Sequence, residues 1–144
     1  MRLLIERVKS AKCIIDNTVK SSINNGYLVY CAFEDGDDEI KIDKALNKLS
    51  KLRIFEDENH KMNLSIKDVD GEVLLISSFS LFADLNTGNR PSFSRSLPFN
   101  VSKPLYDLTV EKANNLFKLQ TGEFGADMKI DAINDGPVSV ILDI

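Results

Sequence analysis

An uninterrupted apolar run at residues 27–33 limits the folds that this chain can adopt. A strand with one solvated face alternates apolar and polar residues, whereas a continuous run of this length suits a strand that is buried on both faces. The turn signal Asn24-Asn25-Gly26 precedes the run, and the polar segment 34–37 ends it. The run therefore predicts a central, buried strand.

Two segments change to the 3.6-residue period of a helix. In residues 37–51 the apolar side chains share one face, the lysines lie mostly on the other, and acidic residues precede the first turn. The second predicted helix begins with Ser102 as its N-cap and has Pro104 in its first turn. The apolar face of the first helix consists of Ile42, Ala45, Leu46, Leu49 and Leu52.

The other apolar runs predict strands that are joined by turns. The first two, at 3–9 and 11–16, follow each other so closely that we expect a tight hairpin or bend between them. The segment Asn134-Asp135-Gly136-Pro137 is the densest turn signal and predicts a turn before the last strand, which would need a partner or a cover if it lies at a sheet edge. A loop over 84–102 is long enough to indicate a site. The remaining predicted strands span residues 53–55, 72–81, 124–133 and 138–144.

Charge and the counts of cysteine and histidine exclude several kinds of site. The 144 residues include 22 acidic and 18 basic side chains, and the net charge of −4 disfavours broad electrostatic coating of nucleic acid. Cys13 and Cys31 form no Cys-x-x-Cys motif and His60 is the only histidine, which excludes zinc sites of the usual spacing. We expect two reduced core cysteines, a single domain over 1–144 and, without a signal peptide or a membrane-length apolar run, a cytoplasmic location.

Backbone and hydroxyl groups are the best candidates for chemistry. A serine esterase would need His60 as its base, but this histidine lies in a polar turn and the chain has no Gly-x-Ser-x-Gly motif. In Ser77-Ser78-Phe79-Ser80, small residues at a strand end expose main-chain groups that could stabilise an oxyanion. Gly136-Pro137 restricts the backbone and tolerates a cis peptide, so two carbonyls can point the same way. Each segment alone is better explained as a strand end or a turn.

Taken together, six ordered segments resemble the D-aminoacyl-tRNA deacylase family, also called D-tyrosyl-tRNA deacylase, from end to end. The last segment contains Gly136-Pro137 and is the most specific, because it is similar to the family's Asn-x-Gly-Pro-Val-Thr signature. The segments are Glu6-Arg7-Val8, residues 53–57 with 61–64, and residues 77–84, 88–93, 121–128 and 134–139.

The resemblance implies a homodimer that hydrolyses the ester between a D-amino acid and the 3′ end of tRNA and rejects the L-ester. Glycyl-tRNA mischarged on tRNA-Ala is implied as a further substrate, and no cofactor, metal ion, DNA or membrane is involved. In such enzymes the Gly-Pro bond, here Gly136-Pro137, is cis and reaches into the partner's site. Its carbonyls engage the substrate's amino group and leave no room for an L side chain, while Arg7 would hold the loop.

The same resemblance implies a pocket for the terminal adenosine and the ester. The family's Ser-Gln-Phe-Thr-Leu block corresponds to residues 77–81, and we expect backbone amides near Phe79 and Ser80 to stabilise the oxyanion while the ribose 2′-hydroxyl assists hydrolysis. The candidate catalytic residues are Ser77, Ser78, Phe79 and Ser80. The candidate substrate-binding residues are Gly136, Pro137, Arg7, Asn134, Met128 and Phe124.

Three residues depart from the family pattern. Ser78 stands where the family has Gln, which removes an amide that could bridge the substrate or a loop, while Ser80 and Ser139 stand where it usually has Thr. One alternative is therefore a non-catalytic dimer that binds the tRNA end; another is a serine esterase, in which His60→Ala would abolish activity. The expected fold is α+β, with a mostly antiparallel, barrel-like β-sheet and two outer helices.

Overall fold

In the computed structural model, which describes residues 1–86 and 88–144, one long strand organises the main sheet. This strand, β1 (Arg2–Ile15), pairs antiparallel on one side with β2 (Thr18–Ile23) and β3 (Gly26–Ala32), and on the other side with the equally long β8 (Lys129–Asp143). Two parallel pairings extend the sheet to β6 (Glu72–Ser77) and then to β7 (Lys118–Thr121). A separate small hairpin consists of β4 (Phe55–Glu56) and β5 (Met62–Leu64).

The sheet curls until its end strands β2 and β7 come within hydrogen-bond distance. The Ser21 hydroxyl donates to the carbonyl of Thr121 over 2.8 Å, which ties the two ends together. Helices α1 (Glu39–Lys51) and α2 (Phe99–Asn114) pack outside. The predicted α+β class, a mostly antiparallel barrel-like sheet with two outer helices, is confirmed.

Strand β3 is buried on both faces, as its apolar run predicts. Tyr27, Val29 and Cys31 pack into the cluster that includes both helices, whereas Leu28 faces a second cluster with Val8. Both cysteines are free and buried, and they belong to different clusters. The two clusters together use every residue of the apolar run except Ala32.

Helix α1 follows its predicted pattern. Ile42, Ala45, Leu46 and Leu49 are buried, and the Asp38 carboxylate accepts from the Lys41 N–H at 2.9 Å as an N-cap. Within the described residues, no helix is long and apolar enough to cross a membrane.

Helix α2 begins earlier than predicted. The N–H groups of Val101 and Ser102 already donate to the carbonyl of Pro98, so the helix starts at Phe99. Ser102 is therefore inside the helix, where its hydroxyl donates to the Pro98 carbonyl at 3.1 Å instead of capping. Pro104 lies in the interior for the same reason. The prediction of Ser102 as N-cap is wrong because Pro98 supplies the first acceptor.

The predicted break in the first strand is also wrong. β1 continues through residues 9–11, and irregularities in its register with β8 near Val8 accommodate the change in pattern. The tight turn comes later, at Asp16 and Asn17, which have φ angles of 49° and 61° and join β1 to β2. Positive φ at both central residues is the geometry that a two-residue hairpin requires.

The turn predicted at residues 134–137 lies within β8. Asn134 pairs with Val8, the register shifts beside this pair, and Gly136 has a φ of 123° next to a cis bond to Pro137. The turn-forming residues thus produce an irregular stretch in one strand, because β1 provides pairing partners on both sides of it. Strand β6 similarly ends at Ser77 rather than at residue 81, and a short 3₁₀ segment (Phe79–Phe82) follows.

Candidate active site

A cavity of about 520 Å³ opens where the parallel strands β3 and β6 end. Because neighbouring parallel strands finish at the same sheet edge, the residues that follow Cys31 and Ser77 come together there. The start of α2 and the segment after β7 complete the wall. Lining side chains from the strand ends and the long loop include Phe33, Ser77, Ser78, Phe79, Ser80, Phe93 and Ser96; those from the other two segments include Phe99, Ser102, Phe124 and Met128.

The 3₁₀ segment begins with two residues that line this cavity and have free main-chain donors. The Ser78 N–H donates to the Cys31 carbonyl at 2.9 Å, and the Ser96 hydroxyl donates to the Phe79 carbonyl at 2.7 Å. Among the described residues, the N–H groups of Phe79 and Ser80 have no acceptor. The Ser78 and Ser80 hydroxyl oxygens lie 3.0 Å apart. Two adjacent free amides can stabilise a developing oxyanion.

Two aromatic pairs stand at the cavity wall. Phe79 packs edge-on against Phe93 with ring centroids 4.9 Å apart, and Phe99 packs against Phe124 at 5.0 Å. Phe79 and Phe99 are each 61% exposed. Exposed aromatic faces beside a polar cavity are suited to stacking on a flat base.

Two glycines allow close packing at the part of the wall that follows β7. A Cβ on Gly122 would lie 2.5 Å from the Met128 sulfur, and a Cβ on Gly125 would lie 2.6 Å from the Phe99 ring. Gly125 also has a φ of 82°, which other residues rarely adopt. These contacts explain why residues 121–128 place Phe124 and Met128 at the cavity.

The cysteine at the cavity wall is not arranged as a nucleophile. Burial raises the pKa of the Cys31 thiol well above its usual range, so the side chain stays protonated at neutral pH. His60 is not among the lining residues: its side chain is 89% exposed, with Nδ1 3.5 Å from the Glu56 carboxylate. In the part of the chain that the structure describes, no three His, Cys, Asp or Glu side chains are grouped to hold a metal ion.

The other four predicted site residues lie outside this cavity. Gly136, Pro137 and Asn134 are exposed on β8. Arg7 is only 4% exposed; its Nε donates to the Asp135 carbonyl at 3.1 Å and its Nη1 to the Ile54 carbonyl at 2.7 Å. The structure therefore brings Ser77, Ser78, Phe79, Ser80, Phe124 and Met128 together, and places Arg7 beside the Gly136 loop elsewhere on the surface.

Sequence reasoning did not assign Phe93, Ser96 or Phe99 to the site. Phe93 and Ser96 lie in the long polar loop. The position of Phe93 between two prolines of this loop is the sequence feature that could have indicated a site there. Phe99 had no such signal, because its contact with Gly125 depends on how α2 docks against the sheet.

Comparisons with known proteins agree with this geometry. The family model described as D-Tyr-tRNA(Tyr) deacylase matches residues 4–143. The chain is 47% identical to a D-aminoacyl-tRNA deacylase of Lactobacillus gasseri over 145 residues, covering 100% of both chains. It is 48% identical to that of Finegoldia magna over 144 residues, covering 99% of this chain and 97% of the relative.

Two solved structures share the fold. A c-Myc DNA unwinding element binding protein superposes with a TM-score of 0.94 at 28% identity, covering 100% of this chain and 99% of the other. A probable eukaryotic D-amino acid tRNA deacylase superposes with a TM-score of 0.86 at 16% identity, covering 99% and 98%. On the family match and the two bacterial relatives, the chain belongs to the D-Tyr-tRNA(Tyr) deacylase family.

Proposed function

We propose that this protein hydrolyses the ester between a D-amino acid and the 3′-terminal ribose of tRNA, and releases free tRNA and the D-amino acid. The observation that carries the proposal is the pair of free amides at Phe79 and Ser80, two residues that line a cavity beside exposed aromatic rings. Membership of the family supports the reaction class. The enzyme is thus an aminoacyl-tRNA editing hydrolase.

The cavity is suited to the end of a tRNA rather than to its helical stem. A single terminal adenosine offers a flat base for the Phe79 or Phe99 ring and ribose hydroxyls for the serines. Such capture needs no broad basic surface, which is compatible with a net charge of −4.

Backbone groups and the substrate itself perform the chemistry. When water attacks the ester carbonyl, negative charge develops on its oxygen, and the Phe79 and Ser80 amides donate to that oxygen. The ribose 2′-hydroxyl assists, so no side-chain base is required. The exposed position of His60, outside the cavity, argues against the serine-esterase alternative.

A second copy of the chain completes the site. Gly136 and Pro137 do not line the cavity of their own chain, and in this proposal they contact the substrate bound by a neighbouring copy. Strand β8, which carries them, pairs only with β1 among the described strands and exposes Ile133 and Ile141, both more than 60% accessible. An apolar edge of this kind favours association of two copies.

Selection against L-amino acids follows from this arrangement. The partner's Gly136-Pro137 carbonyls engage the substrate's amino group and occupy the space that an L side chain would need, while Arg7 fixes the loop through Asp135. Asn134 lies next to the loop on the same strand. Glycine has no side chain to reject, so glycyl-tRNA mischarged on tRNA-Ala is also a substrate. We place this single-domain enzyme, residues 1–144, in the cytoplasm.

One assay tests the proposal. The protein is incubated at micromolar concentration with D-tyrosyl-tRNA, L-tyrosyl-tRNA and glycyl-tRNA, and loss of each ester is followed over time. We expect rapid release from the D-ester, release from the glycyl ester, and an L-ester rate equal to that without enzyme. Binding of the D-ester without hydrolysis would instead indicate the non-catalytic dimer, in which the Ser78 departure removed turnover.

A further inference from the structure

An arginine outside the cavity holds the 3₁₀ segment that carries the free amides. Arg2, at the start of β1, binds Asp143 of β8 through two nitrogens, with Nε 2.7 Å from Oδ1 and Nη2 2.9 Å from Oδ2. Its remaining terminal nitrogen, Nη1, donates to the Leu81 carbonyl at 3.0 Å. All three guanidinium nitrogens therefore have partners, and one of these partners belongs to the 3₁₀ segment.

The planarity of the guanidinium links these contacts. Because the two bonds to Asp143 fix the plane of the group, they also fix the direction in which Nη1 points. The same group lies over the Phe82 ring, 5.0 Å from its centroid. Arg2 thus contacts both of the last two residues of the segment, Leu81 through its backbone and Phe82 through its side chain.

Besides Arg2, the buried Phe82 side chain also anchors the end of the segment. The Phe79 and Ser80 side chains are exposed, and the segment's contacts with the rest of the chain include the Ser96 hydroxyl on the Phe79 carbonyl. A carbonyl at the end of a short helix has no partner within it, so the bond from Arg2 to Leu81 fills that role. Movement of Leu81 would carry the Phe79 and Ser80 amides with it.

We propose that Arg2, oriented by Asp143, is a positioning residue that holds the Phe79 and Ser80 amides in the geometry for oxyanion stabilisation. The inference rests on the proposed function, because the amides matter only if an ester reacts beside them. The Arg2 and Asp143 side chains are 26% and 57% exposed, so we expect the ion pair itself to contribute little to stability.

Arg95 provides a matched control at the same ring. Its guanidinium lies 5.1 Å from the Phe82 centroid and pairs with Glu34 at 2.7 Å. Within the described residues, however, it donates no hydrogen bond to the backbone of the 3₁₀ segment. Removal of Arg95 therefore takes away a cation–π contact and leaves the Leu81 bond in place.

The test compares Arg2→Ala, Arg2→Lys, Asp143→Asn and Arg95→Ala in full-length protein. With D-tyrosyl-tRNA, we expect Arg2→Ala to lower kcat at least about tenfold with KM changed less than about threefold, and Arg95→Ala to keep kcat within about threefold. Arg2→Lys should retain more activity than Arg2→Ala, because an ammonium can still donate to the Leu81 carbonyl. Amide NMR signals of Phe79 and Ser80 should move in Arg2→Ala and not in Arg95→Ala.

Two outcomes would overturn the inference. One is a kcat for Arg2→Ala within about threefold of the wild-type value; the other is an equal loss in Arg95→Ala, which would assign the effect to packing on Phe82. If Arg2→Ala does not fold, Asp143→Asn tests the inference instead. An unchanged kcat in that variant would show that the two bonds between Arg2 and Asp143 are not needed. If the wild-type protein hydrolyses no D-ester, the proposed function fails, and the NMR comparison still decides whether Arg2 positions the amides.

Discussion

A few single residues, two of them glycines, determine the shape of the cavity. Gly122 and Gly125 leave room for Met128 and Phe99 at the wall, and the serines at positions 77, 78 and 80 contribute small side chains to the same cavity. The chemistry of the cavity then depends on main-chain amides, which a substitution removes only by moving the backbone. Substitutions at these positions therefore separate the effects of shape from those of functional groups.

We expect Gly125→Ala to destabilise the protein and to weaken substrate binding. An L residue at a φ of 82° costs about 1–2 kcal/mol in the free energy of unfolding. The added Cβ would also push the Phe99 ring away from Phe124, so KM for D-tyrosyl-tRNA should rise. Chemical denaturation and steady-state kinetics measure the two effects.

Gly36→Ala is the matched control. Gly36 has a φ of 79° and open space where a Cβ would be, so its substitution should lower stability and leave KM unchanged. Equal KM values in the two variants would contradict a role for the Phe99 contact.

We expect Ser80→Ala to keep most of the turnover. The substitution removes the hydroxyl 3.0 Å from Ser78 and leaves the Ser80 amide in place. Ser92→Ala, which removes a hydroxyl 3.3 Å from that of Ser94 outside the cavity, is the control in the same kinetic assay. Complete loss of activity in a folded Ser80→Ala protein would instead make the hydroxyl a nucleophile or an essential donor.

At this scale, sequence reasoning located residues whose role follows from local chemistry. Small hydroxyl residues at the end of an apolar run indicated exposed main-chain groups at Ser77–Ser80, and the structure places them at the cavity. The roles of Phe99 and Arg2 could not be predicted, because their partners, Gly125 and Leu81, are distant in the chain and contact them only after folding.

At the scale of elements, long-range pairing overrode several local signals. The amphipathic pattern of α1 was strong enough to predict the helix correctly. The turn residues 134–137 and the polar break near Lys9 lie instead within β8 and β1, because each strand offers the other hydrogen-bond partners on both sides of the irregular stretch. The short strands β2 and β7 were not predicted, since their exposed polar residues carry little pattern.

We expect Ile141→Lys to weaken the proposed homodimer at least about tenfold, because an unpaired ammonium buried at an interface costs well over about 1.4 kcal/mol. Ile141 is 64% exposed on the outer face of β8, so the isolated subunit should tolerate the change. Sedimentation velocity measures association, and hydrolysis of the D-ester should fall with the dimer fraction.

Val19→Lys serves as the control, because Val19 is 54% exposed on β2, away from β8. If the dissociation constant of the dimer is the same in wild type and Ile141→Lys, the interface lies elsewhere.

At the scale of the whole molecule, a buried ion pair fixes how the chain's first strand meets the region before α1. The α-ammonium of Met1 donates to Asp37 at 2.6 Å, and both groups are inaccessible to solvent. Burial opposes ionisation of Asp37, but hydrogen bonds from this ammonium, from the Glu34 N–H and from Lys41 outweigh it and hold the pKa below its usual value.

A pH dependence follows from that shift. Because the pKa of Asp37 is lower in the folded protein, its ionisation stabilises the fold above the usual Asp pKa of about 4, and this contribution is lost as pH falls through the folded value. We expect Asp37→Asn to lower the free energy of unfolding by about 2–3 kcal/mol at pH 7. The difference from wild type should shrink below about pH 4.

Urea denaturation at pH 7 and below about pH 4 measures the stability difference between Asp37→Asn and wild type, with Asp107→Asn as the control. Asp107 forms an exposed pair with Lys103, and its loss should change stability by less than about 0.5 kcal/mol. A constant difference between Asp37→Asn and wild type at all pH values would contradict the role of Asp37 ionisation.

The length of β8, which pairs with both ends of β1, has a consequence for dimers that contain two different subunits. The same strand carries Gly136, which completes the neighbour's cavity in the proposed dimer, and Asp143, which orients the bond from Arg2 to the Leu81 carbonyl beside its own cavity. A subunit with a displaced β8 would impair both cavities at once. In a cell that produces both forms, such a mutant would inactivate the normal subunits with which it pairs, and its phenotype would be dominant-negative.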